Sequence, residues 1–296
     1  MATLRDITIR KKSVTNTAKI TQAMRMISAA QLRRAQENIE SARPYVQKLG
    51  GVLTNLVNSV GDEYSHPLIK KTSNVKKIAV ITIASDRGLC GGFNTNLFKL
   101  AMKTIENQFA EEYPGAECFH IPIGKRTAQF IKKQDVTVVK EYIDIFRKLD
   151  FSHAKDIAKI VSDGFVSGEY DKVFIFFNKF VNVVRQKPTM VQLLPIESQT
   201  DEKEDSSTAN VDYIYEPAQK SILDELLPKH IDIQVWRGLL ESYAAEQAAR
   251  MVAMENATKN ANDLIKHLEL VFNKARQASI TTEMLEIVSG AEALRK

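Results

Sequence analysis

The stretch Trp236–Leu285, WRGLLESYAAEQAARMVAMENATKNANDLIKHLELVFNKARQASITTEML, decides the fold. Stepping from Trp236 alternately by four and three residues meets Leu240, Tyr243, Gln247, Arg250, Met254, Ala257, Ala261, Leu264, Leu268, Val271, Ala275, Ala278, Thr282 and Leu285. That spacing is the seam of a coiled coil, sustained well past the length of an ordinary globular helix. After Gly238 neither glycine nor proline recurs until Gly290. Residues 239–289 as one helix span about 75 Å at 1.5 Å per residue. Ala244, Ala245, Ala248, Ala249 and Ala253 favour helix and let a neighbour come close. A helix of this length needs a partner for its apolar stripe. The only other long helical stretch lies at the opposite end of the chain.

Residues 2–43 contain no glycine and no proline. Thr3 followed by Asp6 has the form of a capping box, with the carboxylate at the positive end of the helix dipole. Leu4, Ile7, Val14 and Ala18, then Ile20, Met24 and Ile27, recur at helical spacings. The segment reads as a helix of about 60 Å, bent at Pro44 and open to interruption at Gly50-Gly51. Between the two helical ends the pattern changes. Residues 77–85 form an apolar, β-branched run followed at once by Gly88, Gly91 and Gly92. Further strands are predicted near 118–123, 137–139 and 173–177, with helices between them, which implies a mainly parallel sheet. Residues 180–184 and 189–194 flank Lys187-Pro188 and are expected to close an antiparallel edge hairpin. The resulting division is a helix over 1–60, an α/β domain over 75–196, a polar mobile loop over 197–216 and a second helix over 217–296. The fold class is α/β: a long antiparallel coiled coil of the terminal helices plus a central Rossmann-like domain.

Composition narrows the functional classes. The 296 residues carry 44% hydrophobic and 26% charged side chains, ordinary for a chain with a packed core. No apolar run reaches the roughly 20 residues that cross a bilayer. The first residues lack the apolar stretch of a secretory signal. Cys90 and Cys118 are the only cysteines, so no disulfide framework is implied. The formal charge is +5. Over residues 1–48, Arg5, Arg10, Lys11, Lys12, Lys19, Arg25, Arg33, Arg34, Arg43 and Lys48 face only Asp6, Glu37 and Glu40. Such a segment seeks an anionic partner: nucleic acid, anionic lipid or an acidic protein surface. Met24 and Met26 beside Arg25 place soft apolar groups next to a cation, which suits a surface that repacks.

No catalytic constellation stands out. The loop Gly88-Leu89-Cys90-Gly91-Gly92 follows a strand, yet it matches neither the Walker A spacing nor the dinucleotide fingerprint. It reads as a strand-to-helix turn, with Arg87 an exposed partner contact. Cys90 has no base near it in sequence and reads as a packed thiol. His66, His120, His153, His230 and His267 lack metal-ligand spacing. No cofactor, metal or catalytic residue is expected.

Three segments resemble the gamma subunit of the rotary (F-type) ATP synthase, bacterial type: 19–26, KITQAMRM; 85–94, SDRGLCGGFN; and 248–254, AARMVAM, continuing through 276–281, RQASIT, to 286–291, EIVSGA. The resemblance covers essentially the whole chain. It implies a non-catalytic rotor shaft coupling the membrane c-ring to catalytic beta subunits. The partners it implies are the alpha3-beta3 hexamer, the epsilon subunit and the c-ring. The place it implies is the cytoplasmic face of a bacterial plasma membrane, where the chain is peripheral. By position match, Met24, Arg25 and Arg87 are implied to meet an acidic surface of the beta subunit. Arg276, Gln277 and Thr281 are implied to hydrogen-bond a beta loop, and Leu285, Ile287 and Val288 to turn in an apolar sleeve. The alternative from the residues alone is a basic coiled-coil protein that binds nucleic acid or an anionic membrane surface.

Overall fold

A computed structural model describes residues 3–60, 66–70, 72, 74–134, 136–196 and 219–293. The polar loop expected over 197–216 lies outside these residues. The chain divides into two compact units: Met1–Ala30 with Arg250–Lys296, and Gln31–Ala249. Two helices, α1 (Leu4–Val60) and α6 (Gln219–Ala293), supply residues to both.

The first unit is an antiparallel helix pair. Its start is fixed by the expected capping box. Thr3 Oγ1 and Thr3 N donate to Asp6 Oδ2 at 2.8 and 3.0 Å, and Asp6 N donates to Thr3 Oγ1 at 3.2 Å. These bonds hold the Asp6 carboxyl below the usual carboxylate range. On α1 the side chains of Ile7, Ala18, Thr21 and Ser28 are buried, with Leu4, Lys11, Val14 and Arg25 half-buried between them. Their alternating steps of three and four make a heptad seam. On α6 the matching seam is Met254, Ala261 and Leu268, with Thr258, Ile265, Phe272 and Ala275 half-buried. Three cross-links set the register: Arg25 with Glu255 at 3.7 Å, Thr21 Oγ1 with Thr258 Oγ1 at 2.7 Å, and Lys11 with Glu269 at 2.9 Å. Each step back along α1 is a step forward along α6, so the helices run antiparallel.

The seam differs from the expected one in two respects. Ile20 and Ile27 point outward, because the heptad passes through Thr21 and Ser28 instead. On α6 the alternate positions are displaced by one, so Ile265 faces inward where Leu264 was expected. The seam also ends at Ser279. With Lys11 level with Glu269, the beginning of α1 falls level with about residue 276, and every described residue from Ile280 to Glu292 is exposed. Roughly 20 Å of α6 therefore continues past the start of its partner.

The second unit is built on a five-stranded sheet of β1 (Lys77–Ile83), β2 (Glu117–Ile123), β3 (Thr137–Val138), β4 (Lys172–Phe180) and β5 (Gln186–Leu194), in the order β3-β2-β1-β4-β5. Only the β4–β5 pair is antiparallel. The edge hairpin is thus present, but 180–184 lies mainly in its turn. Alternate residues of β1 serve opposite faces. Ala79, Ile81 and Ile83 join the larger core with α5 (Phe151–Val166), while Ile78 and Val80 pack with Leu97 and Ala101 of α2 (Phe93–Lys103). A strand buried on both faces must be largely apolar, as the run 78–81 is. Past α2 the chain makes a π-helical segment, Thr104–Phe109. The wider turn brings Phe109 onto Phe174, centroids 4.6 Å apart, where regular α spacing after Ala101 favours Gln108.

Both terminal helices contribute to the larger core: Leu49, Leu53 and Leu56 from α1, and Leu223, Leu227, Ile231, Val235 and Leu239 from α6. Pro44 and Gly50-Gly51 lie within α1 without ending it, and α6 begins well before Leu239, with Pro228 inside. Trp236 and Tyr243, expected in the coiled-coil seam, instead meet aromatic rings of this unit: Phe151 edge-on at 5.7 Å and Phe146 stacked at 5.9 Å. Two glycines are demanded by geometry. At Gly238 a Cβ would lie 3.0 Å from Ile175 Cδ1 and 3.3 Å from Ile83 Cδ1, so α6 sits directly on the sheet. Gly124 has φ +92° and a Cβ there would fall 2.2 Å from the Ala84 carbonyl oxygen.

Gly124→Ala is therefore expected to lower unfolding free energy by about 3 kcal/mol or more, because neither the dihedral nor the carbonyl can yield cheaply; chemical denaturation of the purified chain measures it. His120, buried in β2 with Nδ1 unbonded, has its pKa pushed down to about 4 by desolvation. The unfolded chain therefore binds this proton first. The resulting stability is complete above pH 6.5 and is lost as pH falls through 4, amounting to about 3 kcal/mol. Denaturation of wild type and His120→Phe at pH 7 and pH 4 should show the smaller loss in the variant.

Candidate partner-contact surfaces

Of the residues matched to partner contacts, Met24, Arg25, Arg276, Gln277, Thr281, Leu285, Ile287 and Val288 belong to the helix pair, and Arg87 to the α/β unit. The acids of α6 alter the reading of the basic helix. Glu255 and Glu269 pair with Arg25 and Lys11, and Glu37 with Arg33, so at least three of the ten early cations have partners inside the chain. Arg25 is accordingly half-buried, and any outside carboxylate competes with Glu255. Exposed pairs of this kind are worth only ~0–1 kcal/mol, so the exchange is cheap. Arg5, Arg10, Lys12 and Lys19 are exposed and keep the positive face. Met24 sits half-buried at the seam's margin.

On α6, Arg276, Gln277 and Thr281 are all exposed. Gln277 and Thr281 lie one turn apart, and Thr281 Oγ1 donates to the Gln277 carbonyl at 2.9 Å, leaving its lone pairs to outside donors. Beyond them, Met284, Leu285, Ile287 (71% exposed) and Val288 stand on helix with no partner helix at this level among the described residues. A second apolar feature was missed by sequence reasoning. Ile9, Ile20 and Ile27 are exposed on the outer side of α1. Their heptad phase was the available signal, since Ile20 and Ile27 fall one residue off the series running through Ile7, Val14, Thr21 and Ser28.

The glycine loop is a structural turn. Asp86 Oδ1 accepts from Lys125 N at 2.9 Å and Asp144 N at 3.0 Å, tying together the loops after β1 and β2. Ser85 and Asn94 exchange hydrogen bonds across it, and the Cys90 thiol is packed with Phe93 and Ala245 while accepting from Asn94 Nδ2 at 3.3 Å. Arg87 projects from this loop, exposed. In an open parallel sheet, ligands bind at the carboxyl ends of the strands where the order reverses, here between β1 and β4. That crevice is filled by α6: Gly238 lies against Ile83, Ile175 and Phe177, and Ser242 Oγ donates to the Ile83 carbonyl at 3.2 Å. No group of metal-ligating side chains occurs among the described residues, nor any helix long and apolar enough to cross a membrane.

A family model described as ATP synthase matches residues 3–294. The ATP synthase gamma chain of Chlorobium limicola is 47% identical over 295 residues, covering 100% of each chain. That of Chlorobaculum parvum is 45% identical over 296 residues, again covering 100% of both. In a solved structure of the Euglena gracilis mitochondrial ATP synthase (OSCP/F1/c-ring), a chain 20% identical aligns with a TM-score of 0.67, over 98% of this chain and 94% of its own length. A chain of the Tetrahymena thermophila mitochondrial ATP synthase central stalk and c-ring, 24% identical, aligns at 0.57 over 80% of this chain and 99% of its own. Full-length identity of this order, carried by the same helix pair and sheet, places the chain in the ATP synthase gamma chain family.

Proposed function

We propose that this chain is the central rotor shaft of a proton-translocating ATP synthase, coupling rotation of the membrane c-ring to conformational change at the catalytic beta subunits. The observation that carries the proposal is the helix pair with its cationic outer face and its apolar, unpartnered last turns. As a gamma chain it is a non-catalytic subunit. The alpha3-beta3 hexamer, the epsilon subunit and the c-ring are its partners, and it sits peripherally at the cytoplasmic face of a bacterial plasma membrane.

The physics is that of a ligand with unequal affinities. Two helices lack threefold symmetry, so three beta subunits around them are contacted differently, and each is biased by its differential contact energy. Shifting one subunit from 1:99 to 99:1 between open and closed forms takes about 5.5 kcal/mol. Single exposed ion pairs at ~0–1 kcal/mol do not supply that. A difference of about 200 Å² in apolar contact does, at about 25 cal/mol per Å². Ile9, Ile20 and Ile27 on α1, with Leu285, Ile287 and Val288 in an apolar sleeve, are assigned that share. Met24, Arg25 and Arg87 face an acidic beta surface and set orientation, while Arg276, Gln277 and Thr281 hydrogen-bond a beta loop.

Mixing the purified chain with alpha and beta subunits should yield a complex that co-purifies and hydrolyses ATP; failure to assemble would remove the proposal. In that complex Arg276→Ala with Gln277→Ala is expected to lower ATP hydrolysis about tenfold. The circular dichroism of the isolated variant should stay unchanged, because both side chains are exposed; loss of helix would mean they are internal packing.

A further inference from the structure

Within the helix pair, two cations stand where a coiled coil ordinarily keeps apolar side chains. Leu4, Lys11, Ala18 and Arg25 follow one another at intervals of seven along α1, and Ala18 is buried in the seam. Lys11 and Arg25 are half-buried, whereas Arg5, Arg10, Lys12 and Lys19 are exposed. Each seam cation is met from α6 by a carboxylate: Lys11 Nζ by Glu269 Oε1 at 2.9 Å, and Arg25 Nη1 by Glu255 Oε1 at 3.7 Å. The two carboxylates are fourteen residues apart, as the two cations are, so the arrangement repeats two heptads along the pair. Over residues 1–30, α1 itself carries one acid, Asp6, and the Thr3 cap engages it.

The Arg25–Glu255 pair is the looser of the two. Its side chains stay 43% and 60% exposed, and 3.7 Å is longer than a hydrogen bond. Register keeping does not explain such a contact, because the Thr21–Thr258 contact at 2.7 Å lies one turn away and ties the same stretch more closely. A guanidinium has five N–H donors, so Arg25 can engage an outside carboxylate while Glu255 remains beside it. A cation next to its own carboxylate presents a dipole, whose field falls off faster with distance than that of a bare charge. Arg25 therefore attracts an acidic surface at contact range only. Attraction from further away is left to Arg5, Arg10, Lys12 and Lys19, which are exposed. Glu255 also repels the arriving carboxylate, and it takes the guanidinium back when that carboxylate leaves.

We propose that Glu255 is a positioning residue that keeps the contact between Arg25 and an acidic surface of another subunit short-ranged and readily released. This rests on the rotor reading of Arg25 given above. A shaft that meets three such surfaces in turn must break each contact it makes, and an unopposed guanidinium holds on longer. The test is steady-state ATP hydrolysis by the complex of this chain with alpha and beta subunits, at ionic strengths of about 0.01 M and about 0.3 M. Glu255→Gln is expected to slow hydrolysis about threefold at the lower ionic strength. The higher ionic strength should bring it back to the parent rate, and Glu255→Asp should match the parent throughout. In an Arg25→Gln background, Glu255→Gln should change nothing, because no cation is left to be released. The circular dichroism of each free variant should equal that of the parent, since Glu255 is exposed. A purely structural ion pair predicts another pattern, in which Arg25→Gln and Glu255→Gln slow hydrolysis alike at both ionic strengths. That pattern, slowing by Glu255→Gln that persists without Arg25, or a Glu255→Gln complex as fast as the parent at low ionic strength would each overturn the inference and leave the rotor reading standing. A parent chain that neither assembles nor supports hydrolysis removes the rotor reading, and this inference with it.

Discussion

Everything in this fold depends on one helix burying two differently shaped faces. Between Leu223 and Ala248, α6 lies on a sheet and needs a broad apolar face, and Leu239 through Ser242, with Ala244 and Ala245, are buried nearly without interruption. From Met254 onward it meets a single helix, and burial contracts to every seventh residue: Met254, Ala261, Leu268. A sheet surface contacts about half of a helix's circumference, whereas a neighbouring helix contacts only a narrow seam. The sequence records the change. Alanines and Gly238 crowd the first half, where backbone meets strands, and charged residues return on most sides of the second.

Over Ala18 to Ser28 the seam of the helix pair is poor in large apolar groups. Ala18, Thr21 and Ser28 on one side meet Thr258 and Ala261 on the other. Small residues permit close approach but bury little area, so the pair draws less from the hydrophobic effect than a Leu-rich zipper would. The Thr21–Thr258 hydrogen bond marks the register, while each hydroxyl also bonds to a carbonyl of its own helix, at Ala18 and Met254. The apolar residues one would expect in such a seam are on its outside, at Ile9, Ile20 and Ile27.

That inversion also explains what was legible in the sequence. Local chemistry read correctly at the Thr3–Asp6 cap and the strand from Lys77, whereas the hairpin turn lies at 181–185 and Lys187-Pro188 belong to β5. These depend on residues close in sequence. The seam read correctly every seventh residue, at Met254, Ala261, Leu268 and Ala275, and drifted between them, because an apolar residue stands on either side of the true position at 264/265. Ile20 and Ile27 were misassigned by the rule that large apolar residues face a partner helix, which fails here because Thr21 and Ser28 hold the seam positions. Pro44, Gly50-Gly51 and Pro228 lie inside helices read over 1–60 and 217–296, and the interruption to which Gly50-Gly51 was open does not occur, since breakers act through local propensity and tertiary packing overrides it. Glu255 and Glu269 became visible as partners of Arg25 and Lys11 only once the antiparallel register was known. Arg276, Gln277 and Leu285 were reached by family resemblance alone, and all three are exposed in the structure.

The parallel sheet shows how an architecture associated with ligand binding can exist without it. Three features of a nucleotide site are present: a buried central strand, a glycine turn after it and a crevice where strand order reverses between β1 and β4. Each is spent on structure. The turn's polar groups bond to one another through Asp86, Ser85 and Asn94, and α2 begins from Gly92 with its first amides directed to the chain itself. The crevice receives α6, whose Gly238 removes the side chain that would have held it off and whose Ser242 satisfies the strand's terminal carbonyl. A phosphate would have to displace a helix that completes the larger core. Occupying that crevice fixes α6 to the sheet at the strand ends, where a loop carrying Arg87 and Leu89 and the hairpin turn both emerge. Filling the crevice with the chain's own helix thus turns the end of the sheet from a receptacle for small molecules into packed core.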